Sequence, residues 1–155
     1  MCALVGGGAV GGLQYRDAQV AARFKNEVKD AVYSLYDGRW TSDRAAHATD
    51  YYVFPLTIYY NASDFDEAEY QAGAATFWST FEYVDVAVRH VEIAEDSDAL
   101  GDVRVTVDAS VARQQRVPPC KQTVDTTYIL TLEHLVDVGY RIRSEREMAN
   151  TLKCR

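Results

Sequence analysis

Three sets of residues in this 155-residue chain could do chemistry: three histidines, three cysteines, and a late run in which Tyr140, Ile142, Ser144 and Arg146 share one parity. His47, His90 and His134 lie far apart, and no Ser/His/Asp or Cys/His grouping stands out by spacing, although such groups can meet in space. A lone histidine is more often a satisfied or surface residue than a catalyst. In a strand, alternate residues share a face, so if Tyr140 and Ile142 point inward, Ser144 and Arg146 do too. An inward guanidinium needs an acceptor, because an unpaired buried charge is costly. Arg146 could bind an anionic ligand or pair with a carboxylate such as Asp50, and the second, structural role is the more common. Tyr128, on a neighbouring strand, could contact a ligand or pack the core.

Cys2, Cys120 and Cys154 show no CxxC spacing and have no histidine at ligand spacing, so no metal site is expected. A hairpin turning around residues 136–139 would put Cys120 opposite residue 155 and Cys154 opposite Lys121. Those two thiols could then bridge. A bridge would place the chain in an oxidising compartment, exported or membrane-associated, whereas unrelated thiols fit the cytoplasm or an organelle.

The run Gly6-Gly7-Gly8-Ala9-Val10-Gly11 matches the G-x-G-x-x-G of dinucleotide sites, with Asp37 as a conceivable ribose ligand. The strand before it would be very short, and residues 16 to 37 keep a helical period without the break a βαβ unit needs. The rest of the chain offers antiparallel strands. No dinucleotide or other cofactor is therefore expected. Asn61-Ala62-Ser63 is a glycosylation sequon, which matters only in a cell that exports and glycosylates the chain.

Composition sets the frame for these residues. Hydrophobic residues make up 48% and charged residues 25%, enough for one domain with its own core. The formal net charge of −7 repels phosphate backbones, so nucleic acid is a poor partner. Residues 1–15 read as an apolar, glycine-rich tail ahead of a single domain over residues 16–155. The tail is too short to cross a bilayer, yet it could bring the protein near a membrane as the trimmed end of an anchor.

Within the domain, Val20, Phe24, Val28, Val32 and Leu35 form a helical stripe that stops at Asp37-Gly38. Thr41, Ser42 and Asp43 can cap a short second helix. Residues 51 to 60 read as one or two short strands interrupted at Pro55, and residues 61–66 as a polar break. Ser63 with Asp66 three residues on signals a third helix, running to about Glu82. Alternation then takes over around Val84–Val88, Val103–Val111, Tyr128–Leu132 and Tyr140–Ser144, predicting four long antiparallel strands. Helices first and a meander later means α+β, with helices packed on one face of a curved sheet. Tyr51-Tyr52 and Tyr59-Tyr60 should each send one ring outward, where aromatics can meet a partner subunit.

This order of elements resembles the NTF2-like superfamily, the SnoaL-like cone, over roughly residues 16 to 150. Soft local matches support it: Leu35-Tyr36-Asp37-Gly38-Arg39-Trp40 at the exit from the first helix, Ala48-Thr49-Asp50-Tyr51 before the first strand, Ala75-Thr76-Phe77-Trp78 in the third helix, and Gly139-Tyr140-Arg141-Ile142 at the last strand. The resemblance implies a cone with an apolar pocket, to which Phe54, Trp78, Tyr128, Ser144 and Arg146 would contribute. The isomerase-type members carry a catalytic Asp just before a Pro. Phe54 precedes Pro55 here, and an aromatic ring cannot abstract a proton. Arg104 and Asp108 share the more polar face of their strand, so the arginine-and-carboxylate device of the epoxide-hydrolase members is not carried over either.

Two functions follow. The first is a non-catalytic subunit or accessory of a larger assembly that could lie at a membrane, a homo- or hetero-oligomer built through the outer sheet face. The second is a SnoaL-type isomerase, cyclase or hydratase-like enzyme that takes a small apolar ligand in the cone. A deep, open pocket holding a group with a perturbed titration favours the enzyme, and a pocket filled by Phe54, Phe77, Trp78 and Tyr128 favours the subunit.

Overall fold

The computed structural model of the chain describes residues 9–95, 101–148 and 153–154. In chain order the elements are α1 (Ala9–Tyr36), β1 (Gly38–Trp40), α2 (Ser42–Ala46), a 3-10 turn (Ala48–Asp50), β2 (Leu56–Tyr59), β3 (Ala62–Phe65), α3 (Glu67–Thr80), β4 (Phe81–Ile93), β5 (Val103–Gln115), β6 (Cys120–Leu135), β7 (Gly139–Glu147) and β8 (Lys153–Cys154). The architecture is the expected α+β one. A curved sheet runs in the order β1-β4-β5-β6-β7-β2-β3, and the short β8 lies beside β6 beyond the end of β7. Neighbours are antiparallel except β2 and β7, which run parallel.

The long strands carry the core on one face. Val103, Val105, Val107, Ala109 and Val111 of β5 are buried, as are Val124, Tyr128, Leu130 and Leu132 of β6. Helix α1 lays Val28, Val32, Leu35 and Tyr36 onto this face. Its apolar stripe is shorter than the sequence suggests, since Val20 is 69% exposed. The helix itself begins at Ala9 rather than at residue 16. The glycine-rich run thus lies partly in α1 and partly, at residues 6–8, outside the described residues.

Four local readings are corrected. Residues 61–66 are not simply a polar break, because Ala62–Phe65 pairs with Leu56–Tyr59 as a hairpin. That turn holds Tyr60 at φ 55, which lets both Tyr59 and Tyr60 face the interior. Thr41 caps α2 without a side-chain hydrogen bond. The third helix starts one turn later than the Ser63 signal: Asp66 accepts from the Glu69 amide at 2.8 Å, and Glu69 accepts from the Asp66 amide at 2.9 Å. This reciprocal box satisfies two amides that the first turn leaves unpaired. Asp66→Ala is expected to cost about 1 kcal/mol, seen as a lower urea midpoint at unchanged slope.

The hairpin of β6 and β7 turns where the sequence places it, with Leu135 opposite Gly139. Cys120 is disulfide-bonded, and β8 sets Cys154 opposite Gln122, two positions along β6 from Cys120. Peptide mapping without reduction is expected to yield Cys120 linked to Cys154. Cys154→Ser should then lower stability by about 3–4 kcal/mol in oxidising buffer, the effect of opening a loop of some 35 residues, and do nothing once the wild type is reduced. A link from Cys120 to Cys2 is the contrary result.

Candidate functional site

The geometry of the site is set by one irregularity in β7. Thr131 pairs with Ser144, but its neighbour Leu132 pairs with Ile142, so Arg143 is an extra residue against β6. Such a bulge reverses which parity faces the core. Before it, Tyr140 and Ile142 face inward. After it, Glu145 opposes Leu130 and Glu147 opposes Tyr128, both core positions, so the two carboxyls turn into the interior. Ser144 goes with Thr131, whose hydroxyl accepts from the Ser144 Oγ at 3.1 Å, and Arg146 is exposed. The inward placement of Ser144 and Arg146 is therefore corrected, and the bulge is the cause.

Glu145 is only 1% exposed. It borders a cavity of about 300 Å³ between the inner sheet face and helices α2 and α3. Tyr52 donates its hydroxyl to Glu145 Oε2 at 3.0 Å. The Tyr60 hydroxyl stands close to the same carboxyl and favours its ionised form. The Tyr36 hydroxyl is buried beside it too, but makes no hydrogen bond of acceptable geometry. Burial raises the Glu145 pKa, while the tyrosine hydroxyls and the Arg44 charge pull the other way. Burial, reinforced by Glu145, likewise pushes Tyr36, Tyr52 and Tyr60 well above the usual phenol range. Tyr70 is pushed up to about 12, chiefly by burial. At neutral pH these phenols are hydrogen-bond donors.

Two guanidinium groups complete the lining. Arg113 continues the inward set of β5 and meets Glu147 at 3.4 Å, each side chain 14% exposed. Arg44, from α2, is 8% exposed and donates to the Leu35 carbonyl at 2.7 Å. Its guanidinium carbon sits 3.7 Å from the centre of the Tyr51 ring and 4.2 Å from that of Trp40. Ring faces attract cations, so these aromatics hold Arg44 in place of a carboxylate. The walls are otherwise apolar, formed by Trp40, Phe77, Trp78 and Val84 among others.

Of the residues expected at the pocket, Trp78 and Tyr128 line it. Phe54 packs behind it, 5.6 Å from the Tyr70 ring and 6.1 Å from Tyr52. The histidines stay away: His47 is exposed beside the Asp43 carbonyl, His90 is exposed, and His134 packs on the Tyr140 ring. Sequence reasoning missed Glu145, Glu147, Arg44, Arg113 and the Tyr52–Tyr60 pair of donors. One signal was present for the carboxyls. In Arg143-Ser144-Glu145-Arg146-Glu147 both parities are polar, so the alternation that began at Tyr140 has no apolar phase left to follow.

Helices packed on a curved sheet, with a pocket between them, have counterparts among solved structures. A provisionally named scytalone dehydratase from Novosphingobium aromaticivorans superposes with a TM-score of 0.64 at 12% identity, over 89% of each chain. An NTF2-like superfamily protein from Salmonella enterica gives 0.63 at 14% identity, over 84% of this chain and 94% of its own. The fold is the NTF2-like cone. A hexachlorocyclohexane dehydrochlorinase, LinA type 2, shares it with a TM-score of 0.59 and 10% identity, over 88% of this chain and 90% of its own. No protein family and no curated protein matches the sequence itself. The NTF2-like cone explains why the site sits where it does: the sheet supplies Arg113, Tyr128, Glu145 and Glu147 from adjacent strands, and the helices close over them.

Proposed function

We propose that this chain is a small-molecule enzyme that transfers a proton at carbon, with Glu145 as the acid–base group. The observation that carries the reading is a buried carboxyl, with a raised pKa, at the wall of an open apolar cavity. A raised carboxyl titration brings the base closer to the operating pH, where proton transfer is most efficient. Tyr52 fixes the carboxyl from the strand segment just ahead of Pro55. The carboxyl that position 54 lacks is thus supplied from β7, which pairs directly with that segment.

In the reaction the Glu145 carboxylate takes a proton from the carbon beside a ring carbonyl. The electron pair moves into an enolate. Where a β,γ double bond extends that enolate, the proton returns to the γ carbon and gives the conjugated isomer; where a β-hydroxyl is present, the proton leaves with it as water. The fold likeness to a dehydrochlorinase and to a provisionally named dehydratase supports eliminations of this class. The alternative, a non-catalytic subunit, asks for a cone filled by its own side chains, and Phe54 stands outside the cavity rather than in it. The test is proton NMR in deuterated water on small cyclic ketones and β-hydroxyketones. Exchange or elimination above the buffer rate, lost in Glu145→Gln, is expected. A panel that shows neither, or a variant as active as the wild type, refutes the proposal.

A further inference from the structure

The proton-transfer reading leaves Arg44 without a job. It is a buried guanidinium at the cavity wall, and among the described residues no carboxylate pairs with it. Glu145 feels its charge, but the hydrogen bond to that carboxylate comes from Tyr52. Arg113 differs, because Glu147 already neutralises it. Asp43 and Asp50 border a polar cleft on the far side of Arg44 and neither reaches ion-pair distance. The Arg44 Nε also lacks an acceptor. One donor contact to Leu35 and a set of ring faces hold the group. Buried cations normally have a counter-ion, and a half-satisfied guanidinium presents the planar fork that suits a carboxylate.

We infer that the cavity takes a ring-bearing carboxylate, with Arg44 as the residue that pairs with its charge. The aromatic walls accept the ring, and a single unpaired cation matches one negative charge rather than the two of a phosphate monoester. The inference rests on the same cavity being a ligand site, but not on proton transfer by Glu145. The two therefore fail separately.

Trp40 and Trp78 are the chain's two tryptophans, and both line the cavity, so their fluorescence reports its occupation directly. The probes are cinnamate and its neutral isostere cinnamamide, titrated at neutral pH. Cinnamate is expected to bind at least roughly tenfold more tightly, the margin of one charge-assisted contact. Arg44→Gln should abolish that preference while leaving amide binding in place. Arg44→Lys, which keeps the charge but not the fork, should retain part of it and serves as the readable variant if Arg44→Gln fails to fold. The preference should persist in Glu145→Gln, whether or not the wild type catalyses any exchange. Equal affinity for acid and amide, a preference that survives in Arg44→Gln, or no response to either probe up to millimolar concentration overturns the inference.

Discussion

Glu145→Gln is expected to lower the proton-transfer rate by about 10²–10⁴-fold and, in the same protein, to raise stability at neutral and alkaline pH. The first effect follows from removing the base. The second follows from the cost of ionising a carboxyl that is 1% exposed. Burial holds its folded pKa above the unfolded value of 4.5. The native state therefore prefers the protonated form. The stability this contributes is complete below the unfolded pKa and is lost as pH rises through the folded pKa. Glutamine keeps an oxygen to accept from Tyr52 and has nothing to ionise. Thermal melts of both proteins from acid to alkaline pH should show curves that nearly coincide in acid, separate through the titration of Glu145, and then run parallel. A gap independent of pH would mean that Glu145 ionises in the fold just as it does in the unfolded chain. Comparing the two proteins cancels the carboxyls they share. A gain in stability with a loss of rate is the usual mark of a group kept for chemistry.

Leu130→Ala is expected to cost about 2–5 kcal/mol, the range for deleting a fully buried leucine when the surroundings cannot collapse. Leu130 has no exposed surface and lies opposite Glu145 on the inner face. Its neighbour Ile129 faces the other way and is 39% exposed. Ile129→Ala should therefore cost well under about 1 kcal/mol. Urea midpoints at equal slopes compare the two. The Leu130 variant carries a further signature. Space opened beside Glu145 admits water, relieves the desolvation that raises its pKa, and should move the pH profile of the first experiment toward acid. A large loss of stability with an unchanged profile would separate the core from the site.

The fold was legible because its signals are local and repeated. Val103 to Val111 alternate without interruption, α1 keeps a stripe from Phe24 to Leu35, and a meander after helices leaves few arrangements. The hairpin register followed from its turn, and the aromatic character of Trp78 and Tyr128 puts both at the cavity wall. The chemistry was illegible for two physical reasons. A bulge has no strong composition signal, so extending the parity of Tyr140 and Ile142 carried Ser144 and Arg146 inward in place of Glu145 and Glu147. Arg44 sits on a helix of five residues and is held by ring faces from Trp40 and Tyr51. No periodicity marks such contacts, because they join segments at angles that sequence spacing does not encode.

The bulge at Arg143 has a consequence for how such a site can change through descent. Facing in a strand is decided by register, so the inward position of Glu145 depends on the bulge before it as much as on its identity. Losing the single codon for residue 143 would take out only the extra residue and leave both carboxyls inward, whereas pairing Arg143 in a straightened strand would turn the tail of β7 by half a revolution. The two carboxyls would then exchange places with a serine and a guanidinium. A lineage of cones could in this way trade one chemistry for another, or fall silent, by a change of register that leaves every residue of the site in the chain.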